Sequence, residues 1–73
     1  MDIKYNIVKE VGTITKDDKT WKKELNIISW NGGTPKYDLR LWSSDHKQMG
    51  KGITLSREEL ITLKDCIERE LNN

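Results

Sequence analysis

Only one cysteine, Cys66, and one histidine, His46, occur in the 73 residues, and phenylalanine is absent. A single cysteine excludes an internal disulfide. One Cys and one His make no recognisable ligand spacing, so no metal site and no cofactor is expected. A Cys66–His46 nucleophile pair is disfavoured as well. Cys66 falls in the middle of an expected helix, nothing marks an oxyanion hole, and a free helical cysteine is normally a small packing residue. The expectation is a non-enzymatic chain with no catalytic residues. No stretch approaches the roughly 20 apolar residues of a membrane span. With no signal peptide pattern, a cytoplasmic protein is expected, nucleoid association being open. Gly50-Lys51-Gly52 lacks the spacing of a phosphate-binding loop and suggests a flexible turn presenting a lysine. Repeats, low-complexity tracts and linkers are also missing, so residues 1–73 are expected to form one domain.

Large net charge is lacking too. The formal value is +1, which argues against a strongly basic chain. The sum hides a division, however. Residues 19–51 hold seven Lys and Arg against three acids, a net +4, whereas residues 56–73 hold three against five, a net −2. A polyanion is drawn to the middle of the chain and not to its C-terminal part. Hydrophobic residues make up 34%. A core of that size is marginal by itself, and nothing staples it, so association of identical chains is the expected remedy.

What is present is patterned. In the segment 2–15, Ile3, Tyr5 and Ile7 alternate with Lys4 and Asn6 until the pattern blurs at Val8 and Lys9, where a bulge or bend is expected. Lys16, Asp17, Asp18 and Lys19 form a polar turn. In segment 21–30, Leu25 and Ile27 share one face; Lys22, Glu24, Asn26, Ile28 and Trp30 share the other. Asn31-Gly32 is a turn signal and Pro35 stops strand continuation. In segment 36–42, Tyr37, Leu39 and Leu41 oppose Lys36, Asp38, Arg40 and Trp42, so the two segments pair as an antiparallel hairpin. The aliphatic face fits a core. Ser43–Gly52 is a polar loop, Ile53–Leu55 a short strand. Ser56 with Glu59 predicts a capping box that opens a helix, whose Leu60, Leu63, Ile67 and Leu71 make an apolar stripe. Ile61 lies off its centre, placed to meet a partner. The order β-β-β-β-α is an α+β arrangement, a four-stranded antiparallel sheet followed by a C-terminal helix.

One constellation carries chemistry: Lys22, Trp30, Lys36, Arg40, Trp42 and Lys51. Unpaired bases expose flat π faces on which indoles stack, and cations between them neutralise phosphates. Arg40 has a planar guanidinium that also stacks on bases, and Asp38 beside it limits its freedom. Pattern alone leaves three readings open: nucleic-acid binding, a protein-contact face, or packing under a second layer. Burying Lys36, Asp38 and Arg40 together is costly, which argues against a dry core. Trp21 shares the face of Leu25 and Ile27 and suggests core or hairpin-edge packing. Lys23 falls on that side too, with its head in solvent at the strand start.

The stretches Trp21-Lys22-Lys23-Glu24-Leu25-Asn26, Ser29-Trp30-Asn31 and Pro35-Lys36-Tyr37-Asp38-Leu39-Arg40 resemble the bacterial YdbC-like proteins. So do Trp42, Asp45-His46 and Met49-Gly50-Lys51-Gly52-Ile53-Thr54-Leu55-Ser56. These are relatives of the C-terminal domain of the eukaryotic transcriptional coactivator positive cofactor four. The resemblance implies a homodimer with helices at the interface. It implies sequence-tolerant binding of single-stranded DNA on concave sheets, in transcription, replication, recombination or repair. Trp30 and Trp42 would occupy the base-stacking positions, and Lys22, Lys36, Arg40 and Lys51 the phosphate-holding ones. Single-stranded RNA on the same face, or a protein-interaction module, is the alternative.

Overall fold

The computed structural model describes residues 3–17 and 20–72. Asp2, at the start of the first expected strand, and Asp18 and Lys19 of the expected polar turn lie outside the described residues. The elements follow the expected order: β1 (Tyr5–Thr13), β2 (Lys22–Trp30), β3 (Lys36–Trp42), β4 (Met49–Leu55) and α1 (Arg57–Leu71). The sheet is an antiparallel meander, β1-β2-β3-β4. At the β2–β3 turn, Asn31 and Gly32 both take positive φ, 52° and 74°, which Asn and Gly tolerate best.

The β1 ladder slips twice, between Ile7 and Lys9 and between Glu10 and Gly12, leaving Val8 and Val11 outside the pairing. A third slip falls between Arg40 and Trp42 against β4. Bulges of this kind bend strands and raise the twist, and here the sheet curls. Trp30 and Trp42 stand at opposite ends of the hairpin, since Trp42 pairs with Lys22 while Ile28 pairs with Lys36. Even so, both indoles touch the ring of Tyr5.

That curl reverses the expected inside and outside. The fully enclosed residues lie on the face of Trp30 and Trp42: Ile28, Asn26, Asp38 and Trp42, each at 0–1% exposure. The face of Leu25, Ile27, Leu39 and Leu41, expected to be the core, is only half-buried. Helix α1 does not seal it. It meets β3 and β4 alone, and it has no buried residue. Ile61, Ile67 and Leu71 are exposed. Trp21, at the edge of the hairpin, is exposed as well.

Strand β4 starts at Met49, so Gly50-Lys51-Gly52 is strand and not a flexible turn. Gly52 pairs with Arg40 at the bulge. A Cβ there would lie 2.1 Å from Arg40 Cβ and 2.5 Å from the Leu39 carbonyl oxygen. Only glycine permits that approach, so main-chain pairing holds a segment whose side chains give no strand pattern. The helix starts as expected. Ser56 Oγ accepts from the Glu59 amide at 3.1 Å, and the Ser56 amide donates to Glu59 Oε1 at 2.9 Å. The Ser56 amide first, and the Ser56 hydroxyl after it, hold the Glu59 carboxyl below its ordinary range, and Lys36 adds to the effect.

Candidate nucleic-acid interface

Register places Lys22 beside Trp42, Glu24 beside Arg40, Asn26 beside Asp38 and Ile28 beside Lys36 on the concave face. The face has two ends.

At one end stands Trp30, half-buried, at the close of β2. The Arg40 guanidinium carbon lies 4.8 Å from its ring centre, within cation–π range. Asp38 aims that guanidinium by a bidentate pair, Arg40 Nε to Oδ1 at 2.7 Å and Nη2 to Oδ2 at 2.8 Å. Asp38 is fully buried and the Arg40 side chain is 16% exposed. Thr54 Oγ1 also donates to Asp38 Oδ2. The pair explains how this face encloses charge: two opposite charges are hydrogen-bonded to each other and Lys36 stays exposed at the hairpin end. Arg40 therefore holds one face of Trp30, with its fork already engaged.

At the other end Trp42 is fully buried. Its ring lies 5.4 Å from Tyr5 and 5.6 Å from His46. A fully buried indole presents no face to a base, which corrects the expectation for Trp42. It is the aromatic centre on which the curled sheet closes. The loop above it is tightly tied. Lys47 N donates to Asp45 Oδ1 and Ser43 Oγ to the same oxygen. These bonds, the Lys47 amide first, hold the Asp45 carboxyl below its usual range. The Tyr5 hydroxyl donates to the His46 carbonyl oxygen at 2.8 Å. His46 takes the left-handed conformation, φ 59°, and its Nε2 lies 3.0 Å from both Glu24 carboxylate oxygens.

Between loop and sheet lies a cleft of about 460 Å³, lined in part by Glu10, Lys22, Glu24, Asn26, Trp42 and His46. Asn26 Nδ2 donates to Glu24 Oε1 at 3.2 Å. Asn26 Oδ1, Trp30 Nε1 and Trp42 Nε1 are buried without a hydrogen-bond partner among the described residues. Lys22 is half-buried at this cleft; Lys36 and Lys51 are exposed. None of the three has an ion pair among the described residues.

The structure thus brings together Trp30 with Arg40, and Lys22 with Trp42, while Lys51 stands on β4. Sequence reasoning missed Tyr5, Glu24, Asn26 and His46. Alternation did put Glu24 and Asn26 on the face of Trp30, which was the available signal. For Tyr5 and His46 the joining contact depends on the curl. Among the described residues no three His, Cys, Asp or Glu gather as a metal site, and no helix is long and apolar enough to cross a membrane.

The sequence that builds most of this sheet and the start of its helix matches a known family model. The family model described as Transcriptional Coactivator p15 (PC4) covers residues 18–66, more than half of the chain. The chain belongs to the PC4 family. The PC4 match takes in β2, β3, β4 and the first part of α1, and so both ends of the face just described. It leaves out β1, which supplies Tyr5. An uncharacterized protein of Treponema pallidum (strain Nichols) is 44% identical over 66 residues, covering 90% of this chain and 78% of that protein.

Proposed function

We propose that this PC4-family chain is a non-enzymatic single-stranded DNA-binding protein that works as a homodimer. The observation that carries the binding reading is Trp30. It is half-buried, with Arg40 against one side, on a sheet face that also carries Lys22 and Lys36, neither of which has an ion pair among the described residues. An unpaired base stacks on an indole for about 1–3 kcal/mol. Lys22, Lys36 and Lys51 neutralise the phosphates on either side. A duplex hides its base faces, so stacking selects single strands.

The dimer reading rests on the other face. The chain exposes 5879 Å², whereas a compact monomer of 8.6 kDa exposes about 4,700 Å². The excess is of the order that one partner of a standard interface buries, about 800 Å². An apolar groove of about 570 Å³ runs between the sheet and α1, lined among others by Ile14, Leu25, Leu39, Leu60, Leu63 and Ile67. A second copy laying its own helix there covers both grooves at once, as two-fold symmetry requires.

Titration with oligothymidine while following tryptophan emission tests the binding. The expected result is a change in emission whose affinity falls as salt rises, because phosphate contacts release counterions. Unchanged emission with no complex at low salt would sink the proposal. A matched RNA oligomer bound more tightly than the DNA would move the assignment to RNA.

A further inference from the structure

We infer that the cleft beside Lys22 is a subsite for one unstacked nucleobase, and that it selects a base carrying an exocyclic amine, cytosine or adenine, over uracil or thymine. The inference rests on the single-strand reading above and adds a base preference at one position to it.

Size comes first. About 460 Å³ lies within the roughly 300–1,000 Å³ range of small-ligand sites. The wall chemistry then narrows the occupant. Two acceptors stand side by side on β2. Glu24 carries a carboxylate with roughly four lone-pair positions, of which His46 and Asn26 use part. Asn26 Oδ1 has no partner among the described residues, although its residue is 1% exposed. A buried acceptor left unpaired is costly, and its neighbour Glu24 cannot supply the missing donor, because a carboxylate only accepts. Among the described residues, a buried donor without a partner on the same wall is Trp42 Nε1.

An exocyclic amine has two N–H bonds, one for each of these acceptors. The adjacent ring nitrogen of cytosine or adenine is an acceptor, which suits the Trp42 indole N–H. Uracil and thymine present a carbonyl oxygen in place of the amine, directed at the Glu24 carboxylate, and have one ring N–H to share between two acceptors. Carboxylate and amide oxygens are the side-chain acceptors that read base amines in general. Lys22, on the same wall, holds the phosphate of that nucleotide at the mouth. The base enters as the His46 imidazole turns outward. That ring is held by Glu24 and by its contact with Trp42, and its side chain is 32% exposed.

The test compares labelled oligomers of deoxycytidine and deoxyuridine, equal in length and salt, binding the full chain by fluorescence anisotropy. The two differ only at ring position 4 and at N3. The expected result is binding of the deoxycytidine oligomer roughly three- to tenfold tighter, with the ratio falling to one in Asn26→Ala. Equal affinity, or tighter deoxyuridine binding, by the unaltered chain overturns the inference, and this comparison needs no variant to fold. Absence of a complex with either oligomer overturns the single-strand reading itself. A ratio unchanged in a folded Asn26→Ala overturns the role of the cleft.

Discussion

Two tryptophans on one sheet face differ in their surroundings, and exposure separates them. Trp30 is half-buried with Arg40 on one side, whereas Trp42 is enclosed by Tyr5 and His46. Trp30→Ala is expected to weaken oligothymidine binding by about 1–3 kcal/mol while leaving the thermal midpoint nearly unchanged. Trp42→Ala is expected to lower stability by about 3–5 kcal/mol, the range for truncating a buried large aromatic. Paired titrations and thermal melts of the two variants check the split. Equal losses of stability in both would refute it. At this scale the sequence was partly legible. Alternation of period two put Lys22, Glu24, Asn26, Trp30, Asp38, Arg40 and Trp42 on one face, as the structure does. It carried no information on curvature, and curvature decides which face closes. Lys36, Asp38 and Arg40 suggested a wet surface because burying them as a group is costly. The sheet buries only Asp38 fully, and does so with Arg40 bonded to both of its oxygens.

Among the elements, β4 and α1 show how differently local chemistry can announce a structure. The capping box of Ser56 and Glu59 is written in four consecutive residues and forms as expected. Glu59 has a depressed folded value, so its contribution is fully present above the ordinary glutamate value of 4.5. That contribution is lost as pH falls through the lower folded value. Helical signal in circular dichroism, followed from neutral pH downward, is expected to show this loss, and Glu59→Gln, which keeps an acceptor but cannot titrate, is expected to flatten it. Identical profiles would remove Glu59 from the acid response. Strand β4 gave such a signal only at Ile53–Leu55. Its first half is Met49-Gly50-Lys51-Gly52, and the reason for Gly52 lies twelve residues away in Arg40. Gly52→Ala is expected to cost about 1–3 kcal/mol in thermal unfolding, since main chain, and not a flexible side-chain tip, must move. A melt matching the parent would show that β3 and β4 separate there without penalty.

For the whole molecule, the proposed dimer, built on the half-buried aliphatic face and the exposed stripe of α1, would make stability a function of concentration. A folded dimer gains from mass action what an isolated chain lacks. The thermal midpoint is expected to rise as protein concentration rises, and light scattering is expected to give twice 8.6 kDa at micromolar concentration. A midpoint independent of concentration, with scattering of a single chain, would refute the dimer. The small apolar fraction suggests association from composition alone. It did not foretell that the enclosed centre of one chain would be the tryptophan face.

The meander has a further consequence, in the order of synthesis. Each strand pairs with the one made just before it, so the curled sheet and its aromatic centre can form as the chain is extended. Helix α1 follows all four strands, and it supplies most of the wall of the apolar groove. A nascent chain without α1 has its sheet but no finished surface for a second copy. Under the proposed dimer, pairing of neighbouring nascent chains would therefore wait until the fold beneath that surface is in place.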